Sequence, residues 1–302
     1  MPKIYNIIIV LSFLCLWIES YFSAKLQLIV GFIFIFTFGI LHGANDLLLI
    51  QKINLLNKSF SYLKILLFYV FFVLIGAGFF YVLPALALFL FVIISGYHFG
   101  EQQWQFLDTL KIKYVQYVFQ LIYGVFILLL LFNFNKEEVQ NVIFTICQYT
   151  ISLQFFVTAL VIVGCILAMM LLYLYIIEQA IQKQIILEIF YLLMFTIVFM
   201  TSTLIWSFAI YFILWHSLPS IVDQTVFLFN DANKNSFKLY FRSAFLYWIA
   251  SLIGIAILYL VFKDEKIFNA LFFSFLAVIT FPHVFVILKM FKSRYEDTKK
   301  VR

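Results

Sequence analysis

Charge is what this chain of 302 residues has least of: Asp, Glu, Lys and Arg together make up 11% of it. A soluble domain carries roughly a quarter of its residues as charges and about half as apolar side chains. Here 66% are hydrophobic, and too few charges remain to cover a globular surface, so lipid must be the solvent for most of the chain. Cysteine is scarce too. Cys15, Cys147 and Cys165 lie scattered through apolar segments without paired spacing, which excludes a disulfide or zinc framework and reads as small buried hydrophobes. There is no internal repeat, low-complexity tract or soluble domain, and the longest polar stretch runs only from Asp223 to Tyr240. The net charge of +6 does not point to nucleic acid, because excess Lys and Arg in an apolar chain belong to cytoplasmic loops.

What is present is apolar length. Crossing the hydrocarbon takes ~17–25 residues, and ten stretches qualify, at about 4–22, 26–50, 64–82, 84–100, 114–134, 153–177, 185–201, 203–222, 242–262 and 268–290. The expected fold class is all-α, a polytopic transmembrane helical bundle of about 8–10 helices, with residues 1–302 as one integral membrane domain. Residues 185–222 would make one helix of ~57 Å, too long for a ~30 Å core. Thr201, Ser202 and Thr203 supply the expected turn. Segment 138–152 is mixed and fits an interfacial or re-entrant helix. Lys3 and the apolar run after it resemble a signal peptide, but no small-x-small cleavage site follows around Tyr21 and Phe22, so the run is expected to be the first membrane helix.

Charge placement tests this count. With the N-terminus inside, all of the 20 basic residues except Lys25, Lys136, Lys263 and Lys266 fall in cytoplasmic segments. Both termini are then cytoplasmic, in a multi-pass protein of the cell (inner) membrane. Adding or removing a pair of crossings leaves the asymmetry intact, so eight helices satisfy it as well.

The chain has four histidines: His42, His98, His216 and His283. They fall in the second, fourth, eighth and tenth stretches, all running from outside to inside, within ~3–12 Å of the cytoplasmic end at 1.5 Å per residue. One histidine near a helix end reads as an interfacial residue. Four at matched depth, with none in the loops, point instead to a metal site in the bundle. Imidazole suits iron, zinc, copper or nickel, so the ligand set alone does not choose the metal.

The neighbours add chemistry. In His42-Gly43-Ala44-Asn45-Asp46, the carboxylate can accept the second ring N–H of a ligating histidine, here or on an adjacent helix. Gly43 and Ala44 allow close helix approach. Glu101, one turn after His98, can act like Asp46; both also fit interfacial residues reaching headgroup water. Trp215-His216-Ser217-Leu218-Pro219-Ser220 ends a helix, and Asp223 follows at the boundary as a further supporting carboxylate. Pro282 precedes His283 and either aims it inward or makes a packing kink. Tyr97, Phe99, Trp104, Trp206, Trp215 and Phe281 flank these motifs and could line a channel for a long apolar substrate.

In their order, His42-Gly-Ala-x-Asp46, His98-Phe-Gly, Trp215-His-Ser217 and Pro282-His283 resemble the Brp/Blh-type β-carotene 15,15′-dioxygenases, the bacteriorhodopsin-related protein family. The resemblance implies a multi-helix membrane enzyme that binds Fe(2+) through histidines, here His42, His98, His216 and His283. It also implies β-carotene and O2 as substrates, two retinals as products, contact with membrane lipid, and a functional link to a retinal-binding rhodopsin. In one respect the chain departs from the family. Many members carry a second histidine four residues after the one matching His216, and here that position is Ser220. Either His283 completes a four-histidine site, or water does, or activity is altered; depth favours His283.

Rival readings are a proton or metal-ion transporter using the histidines and Asp46 as a relay, an oxygenase acting on another lipid, or a non-catalytic retinal-binding partner of a rhodopsin. Transport predicts a polar path outward. The outer stretches Leu26 to Phe36, Pro84 to Ile93 and Trp206 to Leu214 carry almost no polar side chains. Lipid desaturases and hydroxylases use many more histidines, in clustered pairs. No Glu-x-x-His pair exists, which argues against a di-iron carboxylate site.

Overall fold

A computed structural model describes residues 2–55, 61–105, 107, 113–261 and 265–300. Lys58, Lys111, Lys263 and Arg302 of the charge reading, and Phe262 at the end of the ninth stretch, lie outside the described residues. Helix makes up 91% of the described residues, and no strand occurs among them. The helices are α1 (Pro2–Glu19), α2 (Ala24–Phe34), which runs into a π-helical segment (Ile35–Gly39), α3 (Asp46–Leu55), α4 (Tyr62–Val82), α5 (Pro84–Gln103), α6 (Lys113–Phe134), α7 (Lys136–Cys147), α8 (Leu153–Ile177), α9 (Gln182–Thr201) and α10 (Leu204–Ile210). A second π-helical segment (Tyr211–Ser217) joins α10 to α11 (Leu218–Phe229), and α12 (Lys234–Val261) and α13 (Glu265–Lys300) complete the chain.

Among the described residues, eight helical runs are long and apolar enough to cross a membrane, while Ile4–Glu19 and Ala24–Gly39 are apolar but shorter. The solvent these helices fit is apolar: no more than 17% of the spans in α4, α8 and α12 is buried, and side chains such as Phe71, Phe72, Ile162, Leu172 and Leu246 stand exposed. Cys165, expected to be buried, is exposed on α8, and Cys15 and Cys147 are partly buried; an apolar environment tolerates that exposure. The turn expected at Thr201–Thr203 is present, with Ser202 in an extended conformation between α9 and α10. Residues 136–147 form the short helix α7, with Glu137 and Glu138 in its first turn.

Two stretches differ from the sequence reading. Residues 26–50 are broken rather than continuous. At 42–45 the backbone closes tight turns, with Gly43 N–H donating to Ile40 O and Asp46 N–H to Gly43 O, and His42 O is freed. Gln224 Nε2 on α11 donates to that carbonyl at 2.8 Å, so a side chain replaces the lost helical bond. The helix carrying His216 does not end there but continues to Phe229. Pro219 falls just after the π-helical segment, at the start of α11.

The chain divides into two compact units, Met1–Phe32 with Val92–His216, and Ile33–Phe91 with Ser217–Arg302. In the first, α6 packs on α8 and α9. In the second, α13 packs on α4 and α3 around a core of Leu49, Ile221, Leu228, Tyr240, Val286, Ile287 and Met290.

Candidate metal-binding histidines

In the first unit, His98 sits between Gly96 and Gly100 on α5, a spacing that brings helix backbones together. A Cβ at Gly100 would fall 1.8 Å from Gln120 O, and one at Gly124 on α6 would fall 1.7 Å from Gly96 O. The two helices therefore touch through bare backbone, which fixes the depth of His98. Its ring meets the His216 ring edge-on, with centroids 4.7 Å apart. Phe99 and Phe212 pack on the His216 ring as well, at 4.7 and 5.5 Å. Glu101 Oε2 lies 3.8 Å from His98 Nδ1, within electrostatic reach but longer than a hydrogen bond. Gln102 Nε2 donates to His216 O at 2.9 Å, tying α5 to the π-helical segment.

The same end of α5 is anchored by Glu188 of α9, which the sequence analysis did not single out. Its buried carboxylate accepts from Gln103 Nε2 at 2.9 Å, Gln184 Nε2 at 2.7 Å and Tyr123 Oη at 2.7 Å. A lone carboxylate inside an apolar stretch was the available signal. The Gly96-x-x-x-Gly100 spacing was the other.

In the second unit, His42 and His283 meet edge-on with centroids 4.8 Å apart. His283 Nδ1 donates to Asp46 Oδ1 at 2.8 Å, and Tyr69 Oη donates to Asp46 Oδ2 at 2.8 Å. Asp46 thus supports a histidine on another helix rather than His42, four residues before it. His42 Nδ1 donates to Gly39 O, and Ser217 Oγ is 3.2 Å from the same nitrogen. In both rings Nδ1 carries the proton, which leaves Nε2 as the lone-pair nitrogen. Gly43 is not a steric necessity here, since a Cβ would meet His283 Nδ1 at an ordinary 3.8 Å.

Ser220 takes part in a hydrogen-bond network. Gln224 Nε2 donates to Ser220 Oγ at 3.0 Å as well as to His42 O, and Tyr240 Oη donates to Gln224 Oε1 at 2.9 Å. Asn45 Nδ2 donates to Tyr240 O at 3.1 Å and Ser243 Oγ donates to Asn45 Oδ1 at 2.9 Å. The backbone of the His42 turn is held from α11 and α12. Asp223 is buried on α11. Of the aromatic residues flanking the motifs, Trp215 serves packing: its Nε1 donates to Ser12 Oγ at 3.0 Å and its ring lies on Tyr191 and Phe195.

His216 lies in a π-helical segment, and His42 follows the other one by three residues. Such segments recur at functional sites, and no residue pattern marks them in advance.

The model of the beta-carotene 15,15′-dioxygenase family matches residues 33–291. The chain belongs to this family. The dioxygenase match takes in both π-helical segments and all four histidines. No curated protein and no solved structure matches the chain.

Proposed function

We propose that this chain is an iron-dependent dioxygenase that splits β-carotene at the central 15,15′ double bond with O2 into two molecules of retinal. In this reading residues 1–302 act as one integral membrane domain of the cell membrane with both termini cytoplasmic. His42, His98, His216 and His283 hold one Fe(2+), supported by Asp46, Glu101 and Asp223, and the retinal passes to a retinal-binding rhodopsin. The observation that carries the reading is the family match across residues 33–291.

The donor chemistry supports it. Each unit brings two buried imidazoles together, His98 beside His216 with ring centroids 4.7 Å apart and His42 beside His283 at 4.8 Å. Neutral imidazole is a ligand suited to iron, and Asp46 raises the basicity of His283 while fixing its ring. Bound iron would supply the redox centre for O2. The chain's own residues do the rest: they orient the imidazoles, exclude water, and decide which double bond of a lipid-dissolved polyene comes to rest beside them. Direct arrival from the bilayer fits helices whose outer faces are apolar.

Expression in bacteria that accumulate β-carotene, followed by a retinal assay, tests the reading. Bleaching and retinal are expected. Retained orange colour without retinal, with iron supplied and protein in the membrane, contradicts it.

A further inference from the structure

Between α3, α4 and α13 of the second unit lies a cavity of about 380 Å³. Ile53, Ile65, Phe72 and Phe285 are among the apolar side chains that line it, together with Tyr69, Pro282 and the cation Lys289. Phe72 and Phe285 are more than half exposed, so a molecule dissolved in the bilayer reaches the cavity sideways. Its wall leads straight to a histidine. Tyr69 donates its hydroxyl to Asp46, whose other oxygen holds His283, and Pro282 is the residue before His283. Because that hydroxyl is engaged by Asp46, Tyr69 offers the cavity mainly its ring.

We propose that this cavity receives one ring end of the carotenoid and the polyene next to it, and so sets which double bond reaches the histidines. The proposal rests on the dioxygenase reading above and adds a binding site to it. The volume is at the low end of small-molecule cavities (~300–1,000 Å³), which suits half of a carotenoid rather than a whole one. A lipid acyl chain is the competing occupant, but it gives no reason for the cavity to be joined to His283 through Tyr69 and Asp46. The mechanical consequence is a stop: a polyene that seats its ring here is held at a fixed distance from the reacting bond.

The test uses full-length, iron-loaded protein in lipid nanodiscs, two variants and two substrates. Ile65→Trp fills the cavity and Phe72→Ala widens it. With β-carotene, Ile65→Trp is expected to lower kcat/KM by about tenfold or more, the scale on which a hydrophobic pocket discriminates shape. With an apocarotenal that lacks one ring end, the same variant is expected to lose clearly less than it does with β-carotene, because the shortened end needs less of the cavity. Phe72→Ala is expected to raise KM for β-carotene and leave iron content unchanged. Equal losses on both substrates, or no change on either, overturn the proposal and leave the cavity to lipid. A second readout needs no turnover: β-carotene bound to metal-free protein gives an induced circular-dichroism band that Phe72→Ala weakens, and an unchanged band counts against the site. Wild-type protein that binds β-carotene but yields no retinal contradicts the dioxygenase reading alone. Wild-type cleavage with indifferent variants contradicts the cavity alone.

Discussion

His283 Nδ1 and Asp46 Oδ1 are 2.8 Å apart although 237 positions separate them in sequence, and both side chains are buried. A buried carboxylate is tolerated in apolar surroundings when donors surround it. Asp46 has two, the His283 ring and the Tyr69 hydroxyl. The pair therefore fixes the His283 tautomer, the orientation of its ring, and the position of α13 relative to the start of α3.

Asp46→Asn keeps the shape but weakens the acceptor. Removing such a partner of a metal-ligating histidine lowers metal affinity ~10–100-fold. Chelator titration of purified protein is expected to show that loss, with a smaller one for Tyr69→Phe. Wild-type affinity in Asp46→Asn would mean that His283 is not a ligand.

Glu188 is expected to matter to stability through its donors. Glu188→Leu strands the buried Gln103 and Tyr123, each a polar group worth ~1–3 kcal/mol when left unsatisfied in the interior, and releases the half-buried Gln184. Glu188→Gln keeps an acceptor oxygen and should be milder. Thermal unfolding in detergent separates the two; equal melting temperatures would show that the network contributes nothing.

Gly100→Ala and Gly78→Ala make a matched pair. The first drives a Cβ to 1.8 Å from Gln120 O, whereas the second meets nothing within 4 Å. Gly100→Ala is expected to abolish folding or retinal formation, because backbone has to move. Gly78→Ala is expected to be neutral or to gain up to ~1 kcal/mol from helix propensity. A tolerated Gly100→Ala, judged by membrane yield and activity, would contradict the close contact of α5 and α6.

Ser220→Ala removes one hydrogen bond to Gln224 and no ligand. A loss of about 1 kcal/mol in stability is expected, with metal content retained. Loss of metal with stability unchanged would assign Ser220 to the metal instead.

The membrane helices were legible because apolar length is a property of single stretches, and Thr201-Ser202-Thr203 marked its turn by polarity alone. The histidines were legible because they are few. What the chain did not disclose is long-range. The break at His42 depends on Gln224 and Tyr240 taking over backbone groups from helices nearly two hundred residues away, and nothing near His42 encodes that. Asp46 was expected to support a histidine on its own helix or on a neighbouring one, and only the fold decides between them. The bond from Gln224 to Ser220 and to His42 O was not legible, because nothing near Gln224 in sequence points to His42. Glu188 and the Gly96–Gly100 spacing were visible as residues, but their meaning lay in what packs on them.

The most direct test is the iron content per chain of purified protein, measured by elemental analysis for the wild type and for His98→Ala and His283→Ala. One iron per chain, lost in both variants although each removes a histidine from a different pair, is the predicted result. Two metals per chain, or a variant of either pair that keeps its iron at wild-type affinity, would contradict a single centre built from all four histidines.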